Sequence, residues 1–363
     1  MSLVHKIALT LIKGVGQRLS KHLLLHFGNA EMVFSASKAR LLKIDGVGEK
    51  IAESVLYSGA IEKAEIHLDF IEKHQIKVFF YTDDDYPKRL KNCVDAPLIL
   101  YYKGTADLNH HRIVSIVGTR NATGYGRLLC KQLAETLQPY NVIILSGLAH
   151  GIDAAAHRES INFEIPTVGV LGHGLDRIYP AVHKELTTKM VQNGGLLTEF
   201  LPGTSPDREN FPKRNRIIAG ISDVTVVVEA SLKGGALITA ELANSYNRDV
   251  YAFPGRTTDE FSEGCNFLIK TNRAGLINHA KDLIYYLGWD DKLPRKKVLQ
   301  VELALNLNPE EQPIIDALKD CALGIDELCI VTKLQQSKLA ILLLTLEMKG
   351  HLISLPGKMF KLA

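Results

Sequence analysis

The chain has 363 residues, of which 46% are hydrophobic and 23% charged, a composition that excludes a disordered protein. Its formal net charge of +3 excludes a protein that is basic throughout, so a nucleic-acid site would require local clustering of lysine and arginine. The five cysteines are scattered without a Cys-x-x-Cys pair, which argues against a disulfide framework or a metal site and predicts a reducing, cytoplasmic environment.

Membrane insertion and secretion are not expected from the sequence. The first residues lack the apolar core and cleavage site of a secretory signal. No apolar run approaches the roughly 20 residues that a membrane-spanning helix needs. The apolar run 339–344 is flanked by polar residues, so we interpret it as part of a buried helix.

The first 75 residues have a helical pattern with a weak internal repeat. Segments 11–19 and 42–51 each place a Gly-Val-Gly turn between two helical stretches. Glycine permits the tight turn and leaves free N–H groups at the start of the next helix, where a DNA phosphate can bind. The pattern predicts an N-terminal helical domain, 1–75, with two helix-hairpin-helix (SAM-like) motifs. A protein-docking module is an equal alternative, because few basic residues flank the turns.

Residues 76–288 alternate apolar strands with helical stretches. The strands are continuous apolar runs, which indicates burial on both faces and hence a mostly parallel sheet covered by helices. Their spacing predicts an α/β core of the Rossmann-like, doubly wound class. The predicted strands are 112–117, 142–145, 166–171, 195–199, 224–228 and 250–253, and the first predicted helices are 126–138 and 152–160.

The C-terminal part of the sequence predicts a linker and a third domain. The polar, Lys- and Pro-containing stretch 290–297 indicates a linker over 289–300. Two helical segments and a Gly-marked strand pair then predict a winged-helix-like domain, 301–363. Only Lys333 and Lys338 mark its recognition helix, so partner docking is as well supported as the reading of duplex DNA.

Two turns that follow predicted strands have the residue types of an anion site. The fixed donors of Arg120, directly after the strand 112–117, suit two phosphate oxygens, although pairing with a carboxylate is the alternative. In the turn 146–153, two glycines let the backbone approach an anion at a helix start. The residues assigned to the site from these turns are Gly118, Thr119, Arg120, Ser146, Gly147 and Gly151.

Two polar residues at the start of the second helix are given structural roles. A carboxylate at Asp153 would cap the helix and would repel a second anion. His157 lies four residues further on the same helix face. We therefore predict a hydrogen bond between the two side chains and prefer it to a catalytic dyad.

Two further segments add positive charge and glycines. Four basic residues face two acids between positions 205 and 218, and Phe211 beside them could stack on a base; bracing of loops by Asn215 or Arg216 is the alternative. The turn 229–240 is again glycine-rich. Together the four turns predict a pocket for a chain of phosphates. The residues assigned from these segments are Lys213, Arg214, Asn215, Arg216, Lys233, Gly234 and Gly235.

The order of these motifs resembles the DNA processing protein A (DprA/Smf) family over most of residues 80–288. Besides the turns above, the similarity includes Tyr86-Pro87, 96–101, Lys103-Gly104, Leu175-Asp176, Tyr179-Pro180, 211–216, Pro254-Gly255 and 264–269. Three positions depart from the family pattern. His150 replaces a common Arg or Lys, His183 replaces a usual Asn, and 234–237 replaces a Ser-Gly-Ser-Leu run.

The resemblance implies a function in natural transformation and recombination. It implies that the protein binds single-stranded DNA, protects incoming strands and loads the RecA recombinase onto them. It also implies a homodimer formed through the core and places the family's DNA-binding arginine at Arg120. Single-strand-binding and other competence proteins are further expected partners, and no cofactor is expected.

Enzymatic alternatives are less well supported. The stretch 234–241 resembles nucleoside-monophosphate phosphoribohydrolases, in which Glu241 would act in the active site and Arg216 would hold a phosphate. The sequence lacks a convincing second catalytic carboxylate and a Pro-Gly-Gly-x-Gly-Thr loop. The glycine spacing after Gly118 is wrong for a dinucleotide-binding dehydrogenase, and a Walker A loop is absent. We therefore expect a protein without catalytic activity.

Overall fold

The computed structural model describes residues 2–289 and 308–363. Its α-helices are α1 (Leu3–Leu11), α2 (Gln17–Phe27), α3 (Ala30–Phe34), α4 (Lys38–Leu41), α5 (Glu49–Tyr57), α6 (Ala60–Lys73), α7 (Lys88–Lys91), α8 (Gly124–Leu137), α9 (Ile152–Asn162), α10 (Lys184–Gln192), α11 (Asn210–Ile221), α12 (Gly235–Ser245), α13 (Glu263–Lys270), α14 (Ala280–Tyr286), α15 (Gln312–Ala317), α16 (Ile325–Thr332) and α17 (Gln336–Met348). Its strands are β1 (Lys77–Phe80), β2 (Ile99–Gly104), β3 (Ile113–Val117), β4 (Ile143–Ser146), β5 (Thr167–Val170), β6 (Gly194–Thr198), β7 (Val224–Val227), β8 (Asp249–Ala252), β9 (Gly275–Leu276), β10 (Leu323–Gly324), β11 (Leu352–Leu355) and β12 (Met359–Leu362).

The core is a nine-stranded, mostly parallel sheet, which confirms the predicted α/β class. The strand order is β1-β2-β6-β5-β4-β3-β7-β8-β9. Strand β2 runs antiparallel to both of its neighbours, β1 and β6. The remaining strands, β6, β5, β4, β3, β7, β8 and β9 in sheet order, are parallel to one another. The six predicted strands correspond to β3–β8, whereas β1, β2 and β9 were not predicted.

The sheet is buried on both faces because alternate side chains of each strand belong to different apolar clusters. Ile113 and Val117 of β3 pack with α7, α11 and α12 on one face. Val114 and Ile116 pack with α8, α9 and α14 on the other. All four side chains are at most 4% exposed. This two-sided burial explains the continuous apolar runs in the sequence.

The chain order reverses at β3, and this reversal gathers the loops that carry the candidate site. Strands β4, β5 and β6 follow on one side of β3, and β7 and β8 lie on the other side. The loops that leave β3, β4, β5 and β7 therefore meet at the carboxyl edge of the sheet. Open parallel sheets bind their ligands at such an edge.

The N-terminal helices form the two predicted helix-hairpin-helix motifs. The N–H of Val15 donates to the carbonyl of Ile12 over 3.2 Å, and the N–H of Val47 donates to that of Ile44 over 3.0 Å. The preceding glycine has a left-handed φ in both turns, +84° at Gly14 and about the same in the second turn. The apolar cluster of these helices continues into β1 and β2, so this domain and the core share buried contacts.

The C-terminal helices and strands have the order of a winged helix, as predicted. Strand order β10-β12-β11 is antiparallel throughout, and α15, α16 and α17 pack on this small sheet around a separate apolar cluster. From residue 290 on, the predicted linker lies outside the described residues. Asp326 of α16 forms an ion pair with Arg248 of the core.

Among the described residues, no single helix is long and apolar enough to cross a membrane. The pair α16 and α17 passes that test jointly, on length and composition alone, and the two helices are bent by 107° at their junction.

Candidate functional site: a pocket at the carboxyl edge of the sheet

A small pocket of about 40 Å³ lies where the loops after β3, β4 and β5 meet the start of α11. Arg120 and His150 come from the first two loops, and Gly172 from the third. Phe211 and Arg214 come from α11. The pocket therefore combines three of the strand ends with the basic segment of the sequence.

The guanidinium of Arg214 is the main polar feature of the pocket. Helix α11 begins at Asn210, so the basic segment is helical and Pro212 lies in the first turn, where proline is tolerated. Arg214 is 5% exposed, and burial lowers its pKa to about 10. Its Nε and Nη1 atoms have no hydrogen-bond partner in the part of the chain that the structure describes. Buried charged donors are normally paired, so this side chain is suited to bind an anion.

Asp153 lies behind Arg214 and belongs to the architecture of the pocket. Its Oδ2 accepts a 3.3 Å hydrogen bond from the N–H of Ala149. Burial raises the pKa of its carboxyl group, and the nearby charge of Arg214 opposes that shift. Asp153 thus offsets part of the cost of burying Arg214.

The predicted hydrogen bond between Asp153 and His157 is wrong. The Nδ1 of His157 lies 2.7 Å from the Oγ1 of Thr167, and its Nε2 lies 2.5 Å from the carbonyl oxygen of Gly147. Burial lowers the pKa of this fully buried ring to about 4, so it is neutral at physiological pH. His157 joins β5 to the loop after β4 and is not part of a catalytic pair.

Two aromatic rings and Arg120 form the rim of the pocket. The guanidinium carbon of Arg120 lies 5.5 Å from the ring centre of Phe211, within the range of a cation–π contact. The ring of Tyr179 lies 6.2 Å from that of Phe211, and Tyr179 is 49% exposed. A base can stack on such a rim while its phosphate enters the pocket.

Two glycines are required by close approaches in the loop after β4. A Cβ at Gly147 would lie 2.1 Å from the Nη1 of Arg214. Gly151 has a φ of +79°, and a Cβ there would lie 2.2 Å from the carbonyl oxygen of Thr119. That oxygen accepts a 3.1 Å hydrogen bond from the N–H of Ile152, which holds the loops after β3 and β4 together.

Several residues assigned from sequence do not lie in the pocket. Ser146 is fully buried and donates to the carbonyl of Ile116 over 2.6 Å. Arg216 is 9% exposed, forms an ion pair with Glu199 and donates to the carbonyl of Asp95, which is the bracing role that the sequence left as an alternative. Lys213 is exposed on α11 outside the pocket lining.

The fourth turn is also separate from the pocket. Lys233, Gly234 and Gly235 do not line it. The side-chain amide of Asn215 donates to the carbonyl of Gly235 over 3.4 Å, which links α11 to the start of α12. Of the four predicted segments, the loops after β3 and β4 and the start of α11 line the pocket, and the fourth turn does not.

The loop after β5 is the part of the pocket that sequence reasoning missed. Gly172 and His173 line the pocket, and His173 is buried with its Nδ1 2.8 Å from the carbonyl oxygen of Gly174. The signal was present, because Gly172-His173-Gly174 directly follows a predicted strand in the same way as the other turns.

The fold and the pocket define a Rossmann-like core with an arginine-lined pocket. Along the chain this core follows a helix-hairpin-helix domain and precedes a winged-helix domain. The family model described as DNA recombination-mediator protein A matches residues 77–288. Models of the DprA winged helix domain and of the helix-hairpin-helix motif match residues 301–358 and 7–57. The chain belongs to the DprA/Smf family.

Individual relatives agree with this assignment. Protein Smf of Synechocystis is 33% identical over 387 residues, covering 96% of this chain and 96% of that protein. The DNA processing protein DprA of Streptococcus pneumoniae is 39% identical over 206 residues, covering 57% of this chain and 72% of that protein.

Two solved structures show the same fold. DNA processing protein A of S. pneumoniae matches with a TM-score of 0.66 at 30% identity, over 78% of this chain and 97% of that chain. The structure of the Helicobacter pylori protein, which concerns its binding of single-stranded DNA, matches with a TM-score of 0.53 at 29% identity, over 58% of this chain and 94% of that chain.

Proposed function

We propose that this protein binds single-stranded DNA through the pocket at the carboxyl edge, with one backbone phosphate on Arg214. The observation that carries the proposal is a buried guanidinium with two unpartnered donor atoms among the described residues. A phosphate oxygen supplies the negative charge and the acceptors that this group lacks. The single-strand binding described for the H. pylori relative supports the same ligand.

The rim makes an unpaired strand a better ligand than a duplex. Tyr179 and Phe211 present ring surface beside the pocket, and the bases of a single strand are free to stack on it. Arg120 can reach a second phosphate while its guanidinium remains against Phe211. The interaction is dominated by phosphates, so it depends weakly on base sequence and strongly on salt.

In the cell we propose that the protein protects incoming single strands and passes them to the RecA recombinase during transformation or recombination. Membership of a family of recombination mediators supports this role. We further propose that it acts as a homodimer through its core and without catalysis. The phosphoribohydrolase alternative is disfavoured for two reasons. Glu241 is half-exposed and forms an ion pair with Arg273. The guanidinium of Arg216 forms an ion pair with Glu199 and is therefore not available to a phosphate.

The test is fluorescence anisotropy with a labelled oligothymidylate and its duplex counterpart. Arg214→Met should weaken single-strand binding by at least about tenfold, because a charge-assisted hydrogen bond contributes roughly 1.5–3 kcal/mol. Arg120→Ala should weaken it less and should reduce the salt slope by about 0.7 for each phosphate that the variant no longer neutralises.

The matched control is Arg273→Ala, which removes one exposed arginine outside the pocket lining. We expect it to leave the affinity within about twofold. If Arg214→Met binds like the unaltered protein, or if Arg273→Ala loses as much affinity, the pocket is not the DNA site.

A further inference from the structure

Two histidines lie against each other at the pocket. His150, in the loop after β4, is exposed and lines the pocket. His183 directly precedes α10 and is 2% exposed. Their ring centres are 5.1 Å apart with an edge-to-face angle of 62°. Contact between the rings connects a buried titratable group to the mouth of the pocket.

Among residues 2–289 and 308–363, both ring nitrogens of His183 are buried without a hydrogen-bond partner. The charged and titratable groups that act on it from packed elements are His150 from the loop after β4, and His157 and Arg158 from α9. Glu185, two residues along its own segment, is paired with Lys189 over 2.9 Å. In this described part of the chain, no carboxylate is among the groups that act on His183.

These surroundings oppose a proton on His183 when the pocket holds no anion. Burial lowers the pKa of His183, the neighbouring His150 and Arg158 lower it further, and the nearby backbone of Ala149 opposes part of this shift. A phosphate in the pocket reverses the balance, because it places negative charge beside His150. The bound state then holds more protons than the free state, so affinity rises as pH falls.

We propose that His150 and His183 form a proton-dependent part of the phosphate site, which takes up a proton when a DNA phosphate occupies the pocket. This inference rests on the proposed function. It adds that DNA binding is coupled to protonation of this histidine pair. A permanently charged or a neutral side chain in place of either histidine would remove the coupling. Asp153, which lies behind Arg214, is the competing source of such coupling, since its pKa is raised by burial.

The experiment measures the dissociation constant of an oligothymidylate from pH 5.5 to 8.0 at constant ionic strength. Proton uptake is measured by calorimetry in two buffers of different ionisation enthalpy. We expect the unaltered protein to bind about three- to tenfold more tightly at pH 5.5 than at pH 7.5, which corresponds to the uptake of about a quarter to a half of a proton on average over this range.

Two variants remove the coupling in different ways. His150→Lys supplies a permanent charge at an exposed position, and we expect tight binding with a flat pH profile. His183→Asn removes the buried ring, and we expect a flat profile with weaker binding at pH 5.5. The control His22→Asn changes an exposed histidine on α2 and should keep the profile of the unaltered protein.

The outcomes separate this inference from the proposed function. Single-strand binding that is tight but independent of pH overturns the histidine pair and leaves the proposed function intact. A pH profile that persists in both His150→Lys and His183→Asn assigns the proton to Asp153 or elsewhere and also overturns the pair. No single-strand binding at any pH overturns the proposed function. If His183→Asn does not fold, the exposed His150→Lys variant decides alone.

Discussion

Helix α11 builds two regions of the molecule with two arginines that are only two residues apart. Arg214 points into the pocket, where two of its donor atoms have no partner among the described residues. Arg216 points to the junction between the core and the N-terminal domain, where it forms an ion pair with Glu199. Both are at most 9% exposed, so burial alone does not separate a binding residue from a bracing one.

The difference lies in what faces each guanidinium. At the junction, the carboxylate of Glu199 accepts a hydrogen bond from Arg216. It also accepts one from the side-chain amide of Gln17, at the start of α2, over 3.1 Å. In the pocket, Asp153 acts on Arg214 through its charge and leaves donors free. A basic residue is available to a ligand when its neighbouring carboxylate does not use its donors.

The largest effect should follow removal of the junction charge. Arg216→Met leaves Glu199 buried without its cation, and we expect a loss of roughly 3–5 kcal/mol in the free energy of unfolding. Chemical denaturation measures it, with Lys213→Met on the exposed side of α11 as the control, expected within about 0.5 kcal/mol.

The same variant has a pH signature. Burial already raises the pKa of Glu199, and loss of Arg216 raises it further. A carboxyl group with a raised folded-state pKa binds its proton more strongly in the folded state, so the destabilisation grows above its unfolded pKa and shrinks as pH falls. If Arg216→Met is equally destabilised at pH 5 and pH 8, the ion pair is not the source of the loss.

An intermediate effect should follow crowding of the pocket. In Gly147→Ala the new methyl group would lie 2.1 Å from Arg214 and 2.3 Å from Asp153, so both side chains must move. We expect about 1–3 kcal/mol of lost stability and at least about tenfold weaker single-strand binding. Gly235→Ala in the fourth turn is the control, because nothing lies within 4 Å of its Cβ position. Equal losses of affinity in both variants would indicate that the fourth turn also belongs to the DNA site.

The sequence predicted the core better than it predicted the site. Strands β3–β7 were predicted because their two-sided burial leaves continuous apolar runs, whereas β1 is partly exposed. Arg120 and Arg214 were assigned from charge beside strand ends and do line the pocket. Arg216 was assigned on the same ground, but its role depends on Glu199, which follows β6 and meets α11 only in the folded chain.

The smallest effect tests whether the junction couples the N-terminal domain to α11. Gln17 follows the first Gly-Val-Gly turn, and Glu49 holds the equivalent position after the second. Gln17→Ala removes a hydrogen bond to a buried carboxylate, so we expect about 1 kcal/mol of lost stability. Glu49→Ala removes a weak exposed ion pair with Lys38, 3.6 Å long, and should cost less than about 0.5 kcal/mol. Amide hydrogen exchange, measured at α2 and α5 in each variant, shows which of the two motifs depends on the junction. Equal protection losses at both helices would contradict a junction in which only the first hairpin is tied to α11 through Glu199.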